Sequence, residues 1–167
     1  MKFKFKIQQY QSDAVENTVS VFTGQPSHRV AEYRRDLGKR SQQQIYFEGE
    51  IGFRNHHIEL DGRTLLKNIN AIQNLCDITP SATLSKGVGA VNLDIEMETG
   101  TGKTYVYIKT MFELNKQYGW SKFIIVVPSI AIREGVAKSF KMLEEHFMEY
   151  YGKKARWFIY NLSLIHI

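Results

Sequence analysis

Cysteine is almost missing: Cys76 is the only one in 167 residues, so no internal disulfide forms and a reducing, cytoplasmic compartment is expected. Nor is there any apolar run near the roughly 18 residues that a membrane span needs. The start, MKFKFKI, alternates lysine with apolar residues, which excludes a secretory leader. Prolines number three and stand where elements stop, at Pro26, Pro80 and Pro128. Internal repeats and low-complexity tracts are missing too. What is present, 43% hydrophobic and 23% charged residues, describes a globular chain with room for one core. A net charge of +5 suits a polyanionic partner and equally serves solubility.

The chain is organised around residues 91–107, VNLDIEMETGTGKTYVY. Apolar residues at Val91, Leu93 and Ile95 predict a strand, and Val106, Ile108 and Phe112 predict a helix. Between them Thr99, Gly100, Thr101 and Gly102 form a turn whose glycines allow positive φ, so that backbone N–H groups can close on phosphate oxygens. Lys103 supplies a charge for the β and γ phosphates, and Thr104 a hydroxyl for Mg²⁺. The start of the following helix adds orphan N–H groups and the positive end of its dipole. A generic phosphate loop asks for glycine at position 97, where this chain has Met97. The plain alternative is a glycine-threonine turn with an exposed lysine.

Upstream, Lys2, Lys4 and Lys6 alternate with Phe3, Phe5 and Ile7, the period of a half-buried strand. Val15, Val19 and Phe22 predict a helix capped by Ser12 or Asp13 and ended by Gly24. Gln11, just before it, can donate and accept at once, which is what the edge of adenine requires. Residues 25–44 read as a polar loop with a basic cluster, Arg29, Arg34, Arg35, Lys39 and Arg40, either a solvated face or a contact to phosphates. Residues 45–47 and 57–60 read as short strands, and His56 and His57 as structural. Asp61 caps a predicted helix with Leu65, Ile69, Ile72 and Cys76 on one face.

Downstream, residues 123–127, FIIVV, have the character of a parallel strand buried on both faces. With the preceding strand and helix they predict a right-handed βαβ unit with ligands at the carboxyl edge. Ser129 caps a helix carrying Ile132, Val136, Phe140, Leu143 and Phe147, and Gly135 within it suggests a close approach to the backbone. Residues 156–160 read as a third strand. The fold class expected is α/β: a partial RecA-like P-loop NTPase domain, a parallel sheet flanked by helices, with an N-terminal helix and an α+β insertion before the loop.

METGTGKT at 97–104, FIIVVPSIAIREGVAKS at 123–139 and QQYQSDAV at 8–15 together resemble the N-terminal motor region of the restriction subunit of type III restriction-modification enzymes, in helicase superfamily two. The resemblance reaches to about residue 161, and Met97 fits it. It divides the chain into 1–24, strand and adenine-motif helix; 25–90, insertion and linker; 91–161, the first part of the RecA-like domain; and 162–167, a truncated or aberrant tail. It implies that Gln11 reads adenine and that Thr99, Gly100, Thr101, Gly102, Lys103 and Thr104 hold ATP and Mg²⁺, Lys103 and Thr104 being catalytic. By the same resemblance Pro128, Ser129 and Arg133 lie in a motif that touches the DNA backbone; Arg133 alone reads equally as an exposed helix residue. Double-stranded DNA and a modification methyltransferase subunit are the implied partners, in the cytoplasm. The family's Asp-Glu pair on a later strand has no counterpart after residue 104, so weak nucleotide binding without robust ATPase activity is expected. Other superfamily-two motors, a small-molecule kinase, and a non-catalytic nucleotide- or DNA-binding module are the competing readings.

Overall fold

The computed structural model describes residues 6–28, 55–85, 87 and 91–160. Four helices occur among them: α1 (Gln9–Ser20), α2 (Gly62–Leu75), α3 (Lys103–Tyr118) and α4 (Ile130–Tyr151). The chain divides into two compact units, Ile7–Val126 carrying α1 to α3, and Val127–Ile167 with Met1–Lys6, carrying α4. Among the described residues no helix is long and apolar enough to cross a membrane.

In the first unit the core is built from one face of each helix. Val15 and Val19 of α1, Leu65 of α2 and Val106 of α3 are all buried, as spacings of three and four residues on a helix dictate. Phe22 and Trp120, from the turns that follow α1 and α3, and Tyr118, the last residue of α3, close the core. Phe22 meets Trp120 edge to face at 5.0 Å and Tyr118 at 6.2 Å between ring centroids, the arrangement aromatic quadrupoles favour. Polar side chains tie the helices together where backbone bonds cannot. Asn68 of α2 donates to the carbonyls of Val21 and Thr23 at 2.9 and 3.0 Å. Buried Gln25 donates to His57 O and accepts from Glu59 N, so its carboxamide stands in for a paired strand beside residues 57–59.

The caps divide. Asp61 accepts from Thr64 N at 2.8 Å and starts α2 as expected. Ser129 accepts from Ile132 N and starts α4. Gly119, at φ +80°, ends α3. The start of α1 differs: the helix begins at Gln9 behind Gln8, with no side-chain cap, so Ser12 and Asp13 lie inside it. Cys76 follows α2 and is exposed, its Sγ accepting from Asn17 Nδ2.

The expected α/β fold is not what forms. Among the described residues there are four helices and no strand, hence no parallel sheet and no βαβ unit of the RecA-like kind. Residues 91–98, 121–127 and 156–160, where strands are expected, belong to no strand or helix. The reason is that an apolar run measures what a segment can bury, whereas a strand exists only through a ladder to a partner. Ile124 and Val126, expected to be buried on both faces, are 92% and 88% exposed. The backbone at their entry is held by a side chain instead: Asn55 Oδ1 accepts from Ser121 N and Lys122 N, and its Nδ2 donates to Lys122 O. The strands expected at 2–7 and 45–47, and the basic cluster at 29–40, lie wholly or mainly outside the described residues.

In the second unit α4 buries Ala137, Leu143 and Phe147, and Phe140 lies against Trp157 at 5.8 Å. Ile132 of the expected stripe is about half exposed. A Cβ on Gly135 would meet nothing within 4 Å, so no close approach explains that glycine.

Candidate functional site

Residues 97–104 form a tight loop whose conformation follows from its glycines. Gly100 has φ +83° and Gly102 φ +87°, the left-handed region that L side chains rarely enter. Gly102 is the N-cap of α3, and its carbonyl takes the first helical bond, from Val106 N at 3.1 Å. Lys103 and Thr104 are therefore the first two residues of the helix, beside its orphan N–H groups.

Donors bind the loop's carbonyls from three directions. The Lys103 ammonium donates to Glu98 O at 2.9 Å and to Met97 O. Thr101 Oγ1 donates to Glu98 O at 2.6 Å. From α1, Gln11 Nε2 donates to Thr101 O at 2.9 Å and the Tyr10 hydroxyl to the same oxygen at 3.2 Å. Lys109 of α3 reaches Ser12 of α1 at 3.3 Å, so the two helices are joined beside the loop as well as through Val15, Val19 and Val106.

Gln11, 90 residues distant in sequence from Thr101, is thus brought to the loop, with its amide turned onto the loop's backbone. Met97, standing where a generic loop has glycine, packs against the core of the first unit. Its side chain anchors the near limb of the loop. A Cβ on Gly100 would meet nothing within 4 Å, and Lys103 is exposed. Among the described residues no group of three or more His, Cys, Asp or Glu could hold a metal.

Pro128, Ser129 and Arg133 belong to the second unit, at the start of α4. The Ser129 hydroxyl is engaged in its cap, and the Arg133 guanidinium lies 3.1 Å from Glu134. Glu144 pairs with Lys154 at 2.8 Å, and that carboxylate raises the pKa of the Lys154 ammonium. Tyr10 is the loop contact that sequence reasoning missed. Its ring carries no periodic signal, because a single aromatic beside Gln11 completes no apolar stripe at helical spacing. Only its position in the first turn of α1 could have drawn attention to it.

Comparison with known proteins adds the family. A family model described as "Type III restriction enzyme, res subunit" matches residues 4–157. The chain is 38% identical over 107 residues to the EcoP15I Res subunit of Escherichia coli, a type III restriction-modification enzyme, covering 63% of this chain and 11% of that protein. The EcoPI Res subunit of Escherichia phage P1 matches to the same extent. The StyLTI Res subunit of Salmonella typhimurium is 51% identical over 63 residues, 36% of this chain and 6% of its own length. The chain thus spans about a ninth of the length of the first two relatives.

Proposed function

The chain belongs to the family of type III restriction enzyme res subunits, and from that premise we propose that it carries the ATP-binding part of a DNA-translocating restriction subunit. One observation supports this above the rest: two left-handed glycines open α3 with Lys103 at its first position, and Gln11 is docked on the same turn. In this reading Thr99 to Gly102 offer backbone N–H groups to the phosphates, and Lys103 moves from its loop carbonyls to the β and γ oxygens. Thr104 contributes its hydroxyl to Mg²⁺, and Gln11 reads the adenine edge. ATP, when bound, supplies the phosphoryl group whose transfer to water drives motion on DNA. Residues 1–24 and 91–161 form the working part of this assignment, 25–90 the insertion, and 162–167 a tail outside it.

Pro128, Ser129 and Arg133 are proposed to meet a phosphate of duplex DNA, through the N–H groups at the start of α4 and the guanidinium once it leaves Glu134. The names of the relatives, restriction-modification enzymes, support a modification methyltransferase subunit as partner and the cytoplasm as the compartment. Titration calorimetry of the 167-residue chain with Mg-ATP tests the assignment, with Lys103→Ala as comparison. Saturable binding that Lys103→Ala weakens at least tenfold is the expected result. Equal heats for the two proteins would end the assignment of Lys103 to phosphate.

A further inference from the structure

The carbonyl of Thr101 accepts two side chains from adjacent positions of α1, the Gln11 amide at 2.9 Å and the Tyr10 hydroxyl at 3.2 Å. A carbonyl has two lone pairs, so both bonds can form together. Their consequence lies on the other side of the peptide. In a trans peptide the C=O of residue 101 and the N–H of residue 102 point in opposite directions. Holding the Thr101 oxygen toward α1 therefore fixes where the Gly102 N–H is aimed, at a position whose φ of +87° leaves the chain little side-chain restraint of its own. That N–H is one of the donors on which an anion site at the start of α3 depends.

The two donors are not equivalent. Gln11 has a second task in the reading above, since reading a base edge takes its amide away from the loop. Tyr10 has none, and its ring is half exposed at 49%. The geometry points to Tyr10 as a positioning residue: its hydroxyl keeps the 101–102 peptide aimed at the phosphates when the Gln11 amide turns to the base. In the nucleotide-free chain the pair is redundant. With the base present, Tyr10 alone carries the orientation. This rests on the assignment of Gln11 and the loop to ATP.

The test is a comparison of two ligands, Mg-ATP and Mg-tripolyphosphate, titrated calorimetrically into the 167-residue chain. Tyr10→Phe keeps the ring and removes only the hydroxyl. Since one neutral hydrogen bond is worth a factor of roughly three to ten, Tyr10→Phe should weaken Mg-ATP by that factor and tripolyphosphate by less than about twofold. In a Gln11→Ala background, where no redundancy is left, Tyr10→Phe should weaken tripolyphosphate by the larger factor as well, a non-additive result. A merely structural role for Tyr10 would weaken both ligands alike in either background. Equal losses, or no loss with Mg-ATP, overturn the proposal while leaving the phosphate loop standing. A wild-type chain that binds neither ligand overturns the phosphate loop and Tyr10's role with it.

Discussion

The side-chain nitrogen of Gln11 lies 2.5 Å from where a Cβ on Gly102 would have to stand. The loop that opens α3 and the first turn of α1 therefore share a space that only glycine leaves open. Gly100, two residues earlier, has nearly the same backbone, φ +83° against +87°, and nothing within 4 Å of its own Cβ.

That contrast makes a paired prediction. Gly100→Ala should cost about 1–2 kcal/mol, the strain of a left-handed L residue. Gly102→Ala should cost the same strain and, in addition, the Gln11 to Thr101 bond as the amide swings aside, about 0.5–1.5 kcal/mol more. Urea unfolding of the two variants measures the difference. Equal losses would mean that Gln11 is not held against the turn.

The core of the first unit predicts a second contrast, within α2. Leu65 is 2% exposed and packs with Val15, Val19 and Val106, whereas Leu75, at the end of the same helix, is 82% exposed. Leu65→Ala should lose about 2–5 kcal/mol through transfer and cavity. Leu75→Ala should stay within about 0.5 kcal/mol of the parent. Chemical denaturation of both variants decides whether α2 is docked through its Leu65 face.

What the residues disclosed in advance was local. Gly102 opens α3, Asp61 caps α2 and Ser129 caps α4 because each of these effects acts within a turn of its own position. Gln11 could be singled out for its chemistry, yet nothing in the sequence says that its amide would face a loop backbone. The sheet failed for the opposite reason. The side chains of residues 123–127 have the composition of a buried strand, but pairing is a property of two segments, and these residues present Ile124 and Val126 outward. Tyr10 escaped because a half-exposed tyrosine, one residue from a more chemical neighbour, has no pattern to betray it.

The cap of α2 predicts an acid-sensitive contribution. Hydrogen bonds from the Thr64 side chain and backbone hold the Asp61 carboxyl below its ordinary value of 3.8. A folded pKa below the unfolded one means that the cap's charge-dependent stabilisation is fully present above about pH 4 and is lost as the pH falls through the depressed value. Asp61→Asn keeps an acceptor for Thr64 N and cannot titrate. Thermal unfolding from neutral pH down to strongly acid solution should show the two proteins drawing together as the pH drops. A constant difference between them over that range would mean that the ionised carboxylate is not what stabilises the cap.

At the alkaline end the sign reverses. Burial pushes the Tyr118 phenol above its ordinary value of 10.0, since ionising it would strand a charge among Phe22, Trp120 and Val19. Its hydroxyl donates to Val19 O at 3.2 Å, a bond that tyrosinate could not make. Because the unfolded chain ionises first, the contribution is intact below pH 10 and is lost as the pH climbs beyond it. Tyr118→Phe should therefore start less stable than the parent, having lost the bond to Val19, and then lose less stability as the pH rises. Unfolding midpoints on either side of pH 10 provide the measurement, with tyrosinate absorbance of the two proteins giving the titration itself. If Tyr118 ionises along with exposed tyrosines and the midpoints fall in parallel, the ring is not sealed between α1 and α3 as its burial requires.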